Sequence, residues 1–271
     1  MTLCLTATCK WEGESAIVCC CDFTGVRDDV MSESAFKIRW IEKNVVMLAG
    51  DLSAATELLT ACEKSVARYE SGGNDMAVDG LLQSLRAAVK SHRREINDVY
   101  LSSRYGYSFD EFLRDGKGFL PEIEHLQIWA ELKALDLRGG LIVSSFSDDE
   151  AVHITVSSNG DVAWADHFAA LGTGARLCNA FLQQRTYSDH MPIEECIYRV
   201  LEAKLAAERN PYVGKQTFVM LYTPTRLRWL VSDYVKKLVN LIETRRAIPH
   251  LSEIGFDDSS SYPIGPKAPD G

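Results

Sequence analysis

Short runs of β-branched and apolar residues dominate the first fifty positions. Leu3 to Thr8 and Ala16 to Cys21 flank Gly13 and predict an antiparallel hairpin. Phe36 to Ile41 and Asn44 to Leu48 predict a second hairpin around Glu42-Lys43-Asn44. The period then changes. Leu52, Ala55, Leu58, Leu59, Cys62 and Val66 recur at three and four, which predicts a helix from Leu52 to Tyr69 with Asp51 or Ser53 as its cap. Ser71-Gly72-Gly73-Asn74 ends it, and Met76 to Tyr100 predicts a second long helix with Leu81, Leu82, Leu85, Ala88 and Val89 inside.

The next stretch is irregular. Tyr105, Tyr107, Phe109, Phe112 and Phe119 lie among Ser, Arg, Asp and Gly, and Pro121 opens a helical pattern to Leu135. Residues 102–137 therefore read as an insertion, either packed on its own domain or serving as a subunit contact or rim. Gly139-Gly140 precedes three strand patterns, Leu141 to Phe146, Ala151 to Ser157 and Val162 to Trp164, with Ser158-Asn159-Gly160-Asp161 as a hairpin turn. Helices are predicted over Ala175 to Gln184, Ile193 to Arg209 and Leu227 to Arg246, with a strand from Gln216 to Tyr222. The Ser-, Asp-, Pro- and Gly-rich tail, residues 251–271, predicts disorder, which leaves one domain over residues 1–250.

Composition narrows this picture. The chain has 271 residues, 46% of them hydrophobic, enough for one large core. A net charge of −9 argues against a nucleic-acid or anionic-membrane partner. No run of eighteen apolar residues is present, so no membrane span is expected. The eight cysteines include the consecutive Cys19-Cys20-Cys21 and form no CxxC pair, which suits buried thiols in a reduced cytoplasm better than a disulfide framework or a zinc site. The six histidines show no ligand spacing, so no metal or cofactor is assigned. Cys4 is a nucleophile by type but sits inside a strand pattern.

The candidate chemistry begins at position two. The chain opens Met1-Thr2-Leu3 with no leader pattern. Thr2 is small, so removal of Met1 is expected. Thr2 would then carry a hydroxyl and a free α-amine, which can act as general base for that hydroxyl. Downstream, Ala16 to Cys21 ends in Asp22, Lys37 opens the next strand pattern, and Gly50 stands where a third strand meets the first helix. The order strand, strand ending in an acid, lysine, strand, glycine and helix resembles the N-terminal half of proteasome-type N-terminal-nucleophile hydrolases, the group of bacterial proteasome-related subunits. Asp22 to Lys37 is fifteen residues and Lys37 to Gly50 thirteen, each within a residue of the family's usual spacing. Thr2 to Asp22 is about four residues longer than usual, which a longer hairpin around residues 10–14 would absorb.

The resemblance implies a four-layer α/β/β/α sandwich, here with a helical insertion and an added C-terminal helix over about 227–246. It implies a threonine peptidase working on peptides or unfolded protein inside a homo-oligomeric ring. Thr2 would be the nucleophile. Asp22 would hold Lys37, whose ammonium lowers the nucleophile's pKa, and the Gly50 N–H would bind the oxyanion. Each has a plainer reading: Asp22 as a turn cap, Lys37 as a solvated lysine, Gly50 as a sharp bend. Thr173, between Gly172 and Gly174, matches the family's supporting serine or is a helix N-cap. Asn210 and Val213 stand where the family has an aspartate and a serine that orient the amine. That departure keeps two alternatives open: an inactive scaffold subunit, or an amidase acting on a small amide.

Overall fold

The computed structural model describes residues 3–22, 25–27, 30–32, 37–72 and 77–244. Thr2 and the tail over 251–271 lie outside the described residues. The chain is a mixture of helices and antiparallel sheets. Strands β1 (Leu3–Trp11) and β2 (Glu14–Asp22) form the first hairpin, and a small ribbon follows, β3 (Gly25–Arg27) with β4 (Val30–Ser32). Then come β5 (Ile38–Ile41), β6 (Asn44–Gly50), α1 (Leu52–Ser71), α2 (Val78–Tyr105), α3 (Phe109–Phe119) and α4 (Glu122–Ala134). The second half runs β7 (Gly139–Ser147), β8 (Glu150–Val156), β9 (Val162–Ala165), β10 (Phe168–Gly172), α5 (Ala175–Gln184), α6 (Ile193–Ala207), β11 (Thr217–Tyr222), β12 (Leu227–Trp229) and α7 (Ser232–Glu243).

Two five-stranded antiparallel sheets carry the architecture, one in the order β10-β1-β2-β11-β12 and the other β5-β6-β7-β8-β9. The expected first hairpin is longer than its apolar core suggested. Its strands extend to Trp11 and Glu14, and the turn is two residues, Glu12 and Gly13, with φ of 53° and 89°. A two-residue turn with both φ positive matches the twist of the flanking strands. The additional length therefore lies in the strands and not in a loop.

Alternation along β1 separates two apolar clusters. Leu3, Leu5, Ala7, Cys9 and Trp11 join the cluster built with α5, α6 and α7, whereas Cys4 joins residues of β5, β6 and β7 in a cluster between the sheets. A third cluster places α1 and α2 against Val46, Leu48, Leu141, Val143, Ile154 and Val156. Between the sheets the strand face turns polar. Thr8 Oγ1 is 2.9 Å from His153 Nε2, His153 Nδ1 is 3.0 Å from Ser144 Oγ, and Ser144 Oγ is 3.3 Å from Thr6 Oγ1. All four side chains are buried. Buried polar groups must be paired, and here they pair with one another across the gap.

Three expectations are corrected. The predicted helix over Leu227 to Arg246 begins only at Ser232, because Leu227, Arg228 and Trp229 pair with Tyr222, Leu221 and Met220. Of the apolar positions in this segment, Leu227 packs between the sheets, Leu230, Val235 and Leu238 join the cluster that includes α6, and Val231 stays exposed. The stretch from Leu101 to Leu120 is helical where no period was evident, since α2 runs on to Tyr105 and α3 follows with a Ser108–Glu111 capping box. The insertion packs on its own domain through Leu101, Phe112, Ile128 and Leu132, with Glu131 accepting from the hydroxyls of Tyr100 (2.9 Å) and Tyr105 (2.6 Å). Phe168–Gly172, unassigned from the pattern, is a strand that crosses to the other sheet and pairs with β1.

Candidate functional site

The site is built around the end of β2, where the carboxylate of Asp22 gathers three donors. The Leu3 N–H reaches Oδ1 at 2.9 Å, the Gly214 N–H reaches Oδ2 at 2.7 Å, and the Lys37 ammonium forms an ion pair with Oδ1. Asp22 and Lys37 are both 0% exposed. This rules out a solvated lysine, and it makes Asp22 more than a turn cap. Charge-assisted bonds of this kind are about twice as strong as neutral ones. Two sheet connections place the partners. Thr217 of β11 pairs with Asp22, which brings the preceding loop and its Gly214 over the carboxylate. Lys37 enters β5 with its carbonyl accepting from the Leu48 N–H at 2.9 Å, so it borders β6.

The end of β6 carries Gly50 to the same region. Cys4 Sγ donates to the Leu48 carbonyl at 3.0 Å, which ties the start of β1 to a point two residues before Gly50. Burial pushes the Cys4 thiol up to about 12, with the nearby Lys37 charge opposing, so Cys4 is a core thiol and not a nucleophile at neutral pH. Gly50 has φ of 88°, and a Cβ built on it would lie 2.5 Å from the Arg138 carbonyl oxygen. Both facts demand glycine. Gly139 opposite is equally confined, since its Cβ would meet the Ala55 N of α1 at 2.5 Å. Asp51 caps α1 by accepting from the Ser53 and Ala54 N–H groups. Gly50→Ala should therefore cost about 2–3 kcal/mol of unfolding free energy, the scale of left-handed strain plus a backbone clash. Urea unfolding checks it; a loss under about 0.5 kcal/mol would contradict the geometry.

Thr173 and the loop after α6 close the other side. Leu3 pairs with Gly172, so Thr173 follows directly on the partner of Leu3. Thr173 is exposed, and the N-cap of α5 is Gly174, with no side-chain cap bond, so the N-cap reading of Thr173 does not hold. A Cβ on Gly174 would meet Leu3 Cδ1 at 3.3 Å and Val213 Cγ2 at 2.9 Å, which shows how closely Leu3, Gly174 and Val213 are packed. Asn210 is half-buried, and its Oδ1 accepts from the Tyr212 N–H at 3.1 Å, a local turn. Val213 is buried in the helix-side cluster.

The structure thus brings Asp22 and Lys37 into contact and sets Gly50, Thr173 and Asn210 on the strand ends and loops around the start of β1. Sequence reasoning missed Gly214. Its contribution is a backbone N–H, which leaves no side-chain signal; the only trace was its place two residues before the last core strand. No helix among the described residues is long and apolar enough to cross a membrane. No protein-family model matches the chain, and a search of curated proteins returned no match.

Proposed function

We propose that the chain is a threonine-type N-terminal-nucleophile hydrolase of proteasome type, cleaving amide bonds in peptides. The observation that carries this reading is the buried Asp22–Lys37 pair, whose carboxylate also holds the Leu3 N–H. The peptide bond to Leu3 keeps the Thr2 Cα within about 2.4 Å of that nitrogen. The Leu3 N–H and the Lys37 ammonium meet at the same oxygen, Asp22 Oδ1, so the buried cation lies at the start of β1. The three apolar clusters support the finer fold assignment: helices on the outer face of each sheet, with the sheets face to face, make the α/β/β/α sandwich of that family.

In this mechanism Met1 is removed and Thr2 Oγ attacks the substrate carbonyl. The α-amine, whose reference pKa is near 8, takes the hydroxyl proton and passes it to the leaving amine. The Lys37 ammonium favours the ionised oxygen, and Asp22 keeps that ammonium in place. The Gly50 N–H takes the oxyanion role. Water then releases the acyl group from Thr2. The substrate would be a peptide or unfolded chain entering a cytoplasmic homo-oligomeric ring. Part of the apolar surface open to ring contacts lies on the insertion, where Ile123 is 82% and Leu126 60% exposed. Light scattering at micromolar concentration tests the ring: at least six subunits are expected, and a monomer near 30 kDa at all dilutions contradicts it.

One observation favours a second reading, an inactive scaffold subunit. The amide of Asn210 is committed to its own turn and Val213 to the core, so neither supplies the amine-orienting groups of the family. Peptide hydrolysis by purified wild type against Thr2→Ala separates the two. Turnover lost in Thr2→Ala supports the hydrolase; no turnover in either favours the scaffold, and equal turnover in both overturns Thr2 as the nucleophile.

A further inference from the structure

Among the described residues, Lys37 shares its complete burial with one other lysine, Lys204 on α6, and the mechanism above leaves that residue without a task. Its ammonium forms an ion pair with Glu208, one turn on, and donates to the backbone carbonyl of Lys215 at 3.0 Å. Taking an ammonium out of water costs several kcal/mol, and apolar residues often fill such a position with equal or better stability. The charge therefore calls for a local reason. Lys215 directly follows Gly214, whose N–H is on Asp22 Oδ2 at 2.7 Å. The loop between α6 and β11 has little packing of its own: Arg209, Pro211, Tyr212, Lys215 and Gln216 are exposed, and only Val213 and Gly214 are buried. A donor rising from α6 to the Lys215 carbonyl, which Thr217 Oγ1 also reaches at 3.4 Å, anchors the 215–216 peptide, two peptides beyond the one that carries the Gly214 N–H.

We propose that Lys204 is a positioning residue, holding this loop so that the Gly214 N–H stays on Asp22 and keeps the carboxylate directed at Lys37 and Leu3. Its consequence for catalysis rests on the hydrolase reading; its consequence for geometry does not. Val213-Gly214 is the only Val-Gly step in the chain. Labelling valine carbonyls with ¹³C and glycine nitrogens with ¹⁵N in the full-length protein therefore isolates a single coupled amide, that of Gly214. Asp22→Asn calibrates the signal, since losing the charged acceptor should move the Gly214 proton upfield. Lys204→Met should move it in the same direction, and Lys204→Arg, which restores a cation, should return it part of the way. If Lys204→Met does not fold, Glu208→Gln, which keeps the ammonium and weakens its anchor, should give a smaller shift of the same sign. A Gly214 signal unmoved in folded Lys204→Met, or in Glu208→Gln where the first does not fold, overturns the proposal. With hydrolysis present, Lys204→Met should lower kcat about 10²-fold, the scale of a small misplacement, with KM unchanged. A shifted signal in a protein with no hydrolysis at all counts against the hydrolase and leaves the positioning role standing.

Discussion

Lys37→Met should lower the free energy of unfolding by about 3–5 kcal/mol, the cost of stranding one partner of a buried ion pair. Asp22 is 0% exposed, and without the ammonium its carboxylate keeps, among the described residues, the N–H groups of Leu3 and Gly214. Asp22→Asn should also destabilise, because its amide group would face donors where the carboxylate accepted. The double variant should cost clearly less than the two single variants summed, since neither charge is then left alone. Urea unfolding of the four proteins gives the coupling directly. Additive losses would mean that the pair does not act as a unit. A lysine on a solvated strand face would instead cost under about 0.5 kcal/mol. Any amide hydrolysis should fall as well, by at least about 10²-fold in rate, the scale of removing one preorganised electrostatic group.

The second large effect lies in the polar seam between the sheets. His153 is fully buried, and burial, aided by the charge on His167, pushes its pKa down to about 3. Its contacts with the Thr8 and Ser144 hydroxyls accommodate the neutral ring, one nitrogen donating and the other accepting, because each hydroxyl can take either role. The direction of the pH effect follows from proton counting. Between about pH 6.5 and 3 the unfolded chain binds a proton at His153 that the folded chain refuses, so stability falls as pH falls through this window. The loss should accumulate at a little over 1 kcal/mol per pH unit, to roughly 4 kcal/mol across the window. His153→Gln keeps a donor and an acceptor and cannot titrate. The difference between wild type and this variant should therefore shrink steadily from pH 7 to pH 4. Parallel pH curves for the two proteins would show that His153 does take up its proton in the folded state.

Much of this was legible in the residues because the relevant signals are local. The first two hairpins, α1 with its Asp51 cap, and the meander from Gly139 to Ala165 follow from apolar runs broken by turn residues. What escaped depends on distant partners. Phe168–Gly172 is short and alanine-rich, and it becomes a strand only because β1 of the other sheet pairs with it. Leu227–Trp229 continues the period of the following helix, so the pattern concealed a strand whose identity comes from pairing with β11. At the site, Asp22 and Lys37 were readable as charged residues at the edges of apolar strands. Their complete burial was not, because a lysine beside Phe36 and Ile38 fits either face of a strand. Lys204 was hidden for the same reason: a lysine among alanines and leucines on a helix reads as part of the solvated face.

The claim on which the functional reading turns is that Thr2 becomes a free N-terminal residue beside Lys37 and acts as nucleophile. Intact mass of the purified, folded protein before and after treatment with a peptide epoxyketone, which reacts with the hydroxyl and α-amine of an N-terminal threonine together, tests it in one experiment. The predicted result is a starting mass lacking Met1 and a single stoichiometric adduct, mapped to Thr2 and absent from Thr2→Ala. A protein that retains Met1, or that lacks it and gains no adduct, would contradict the account.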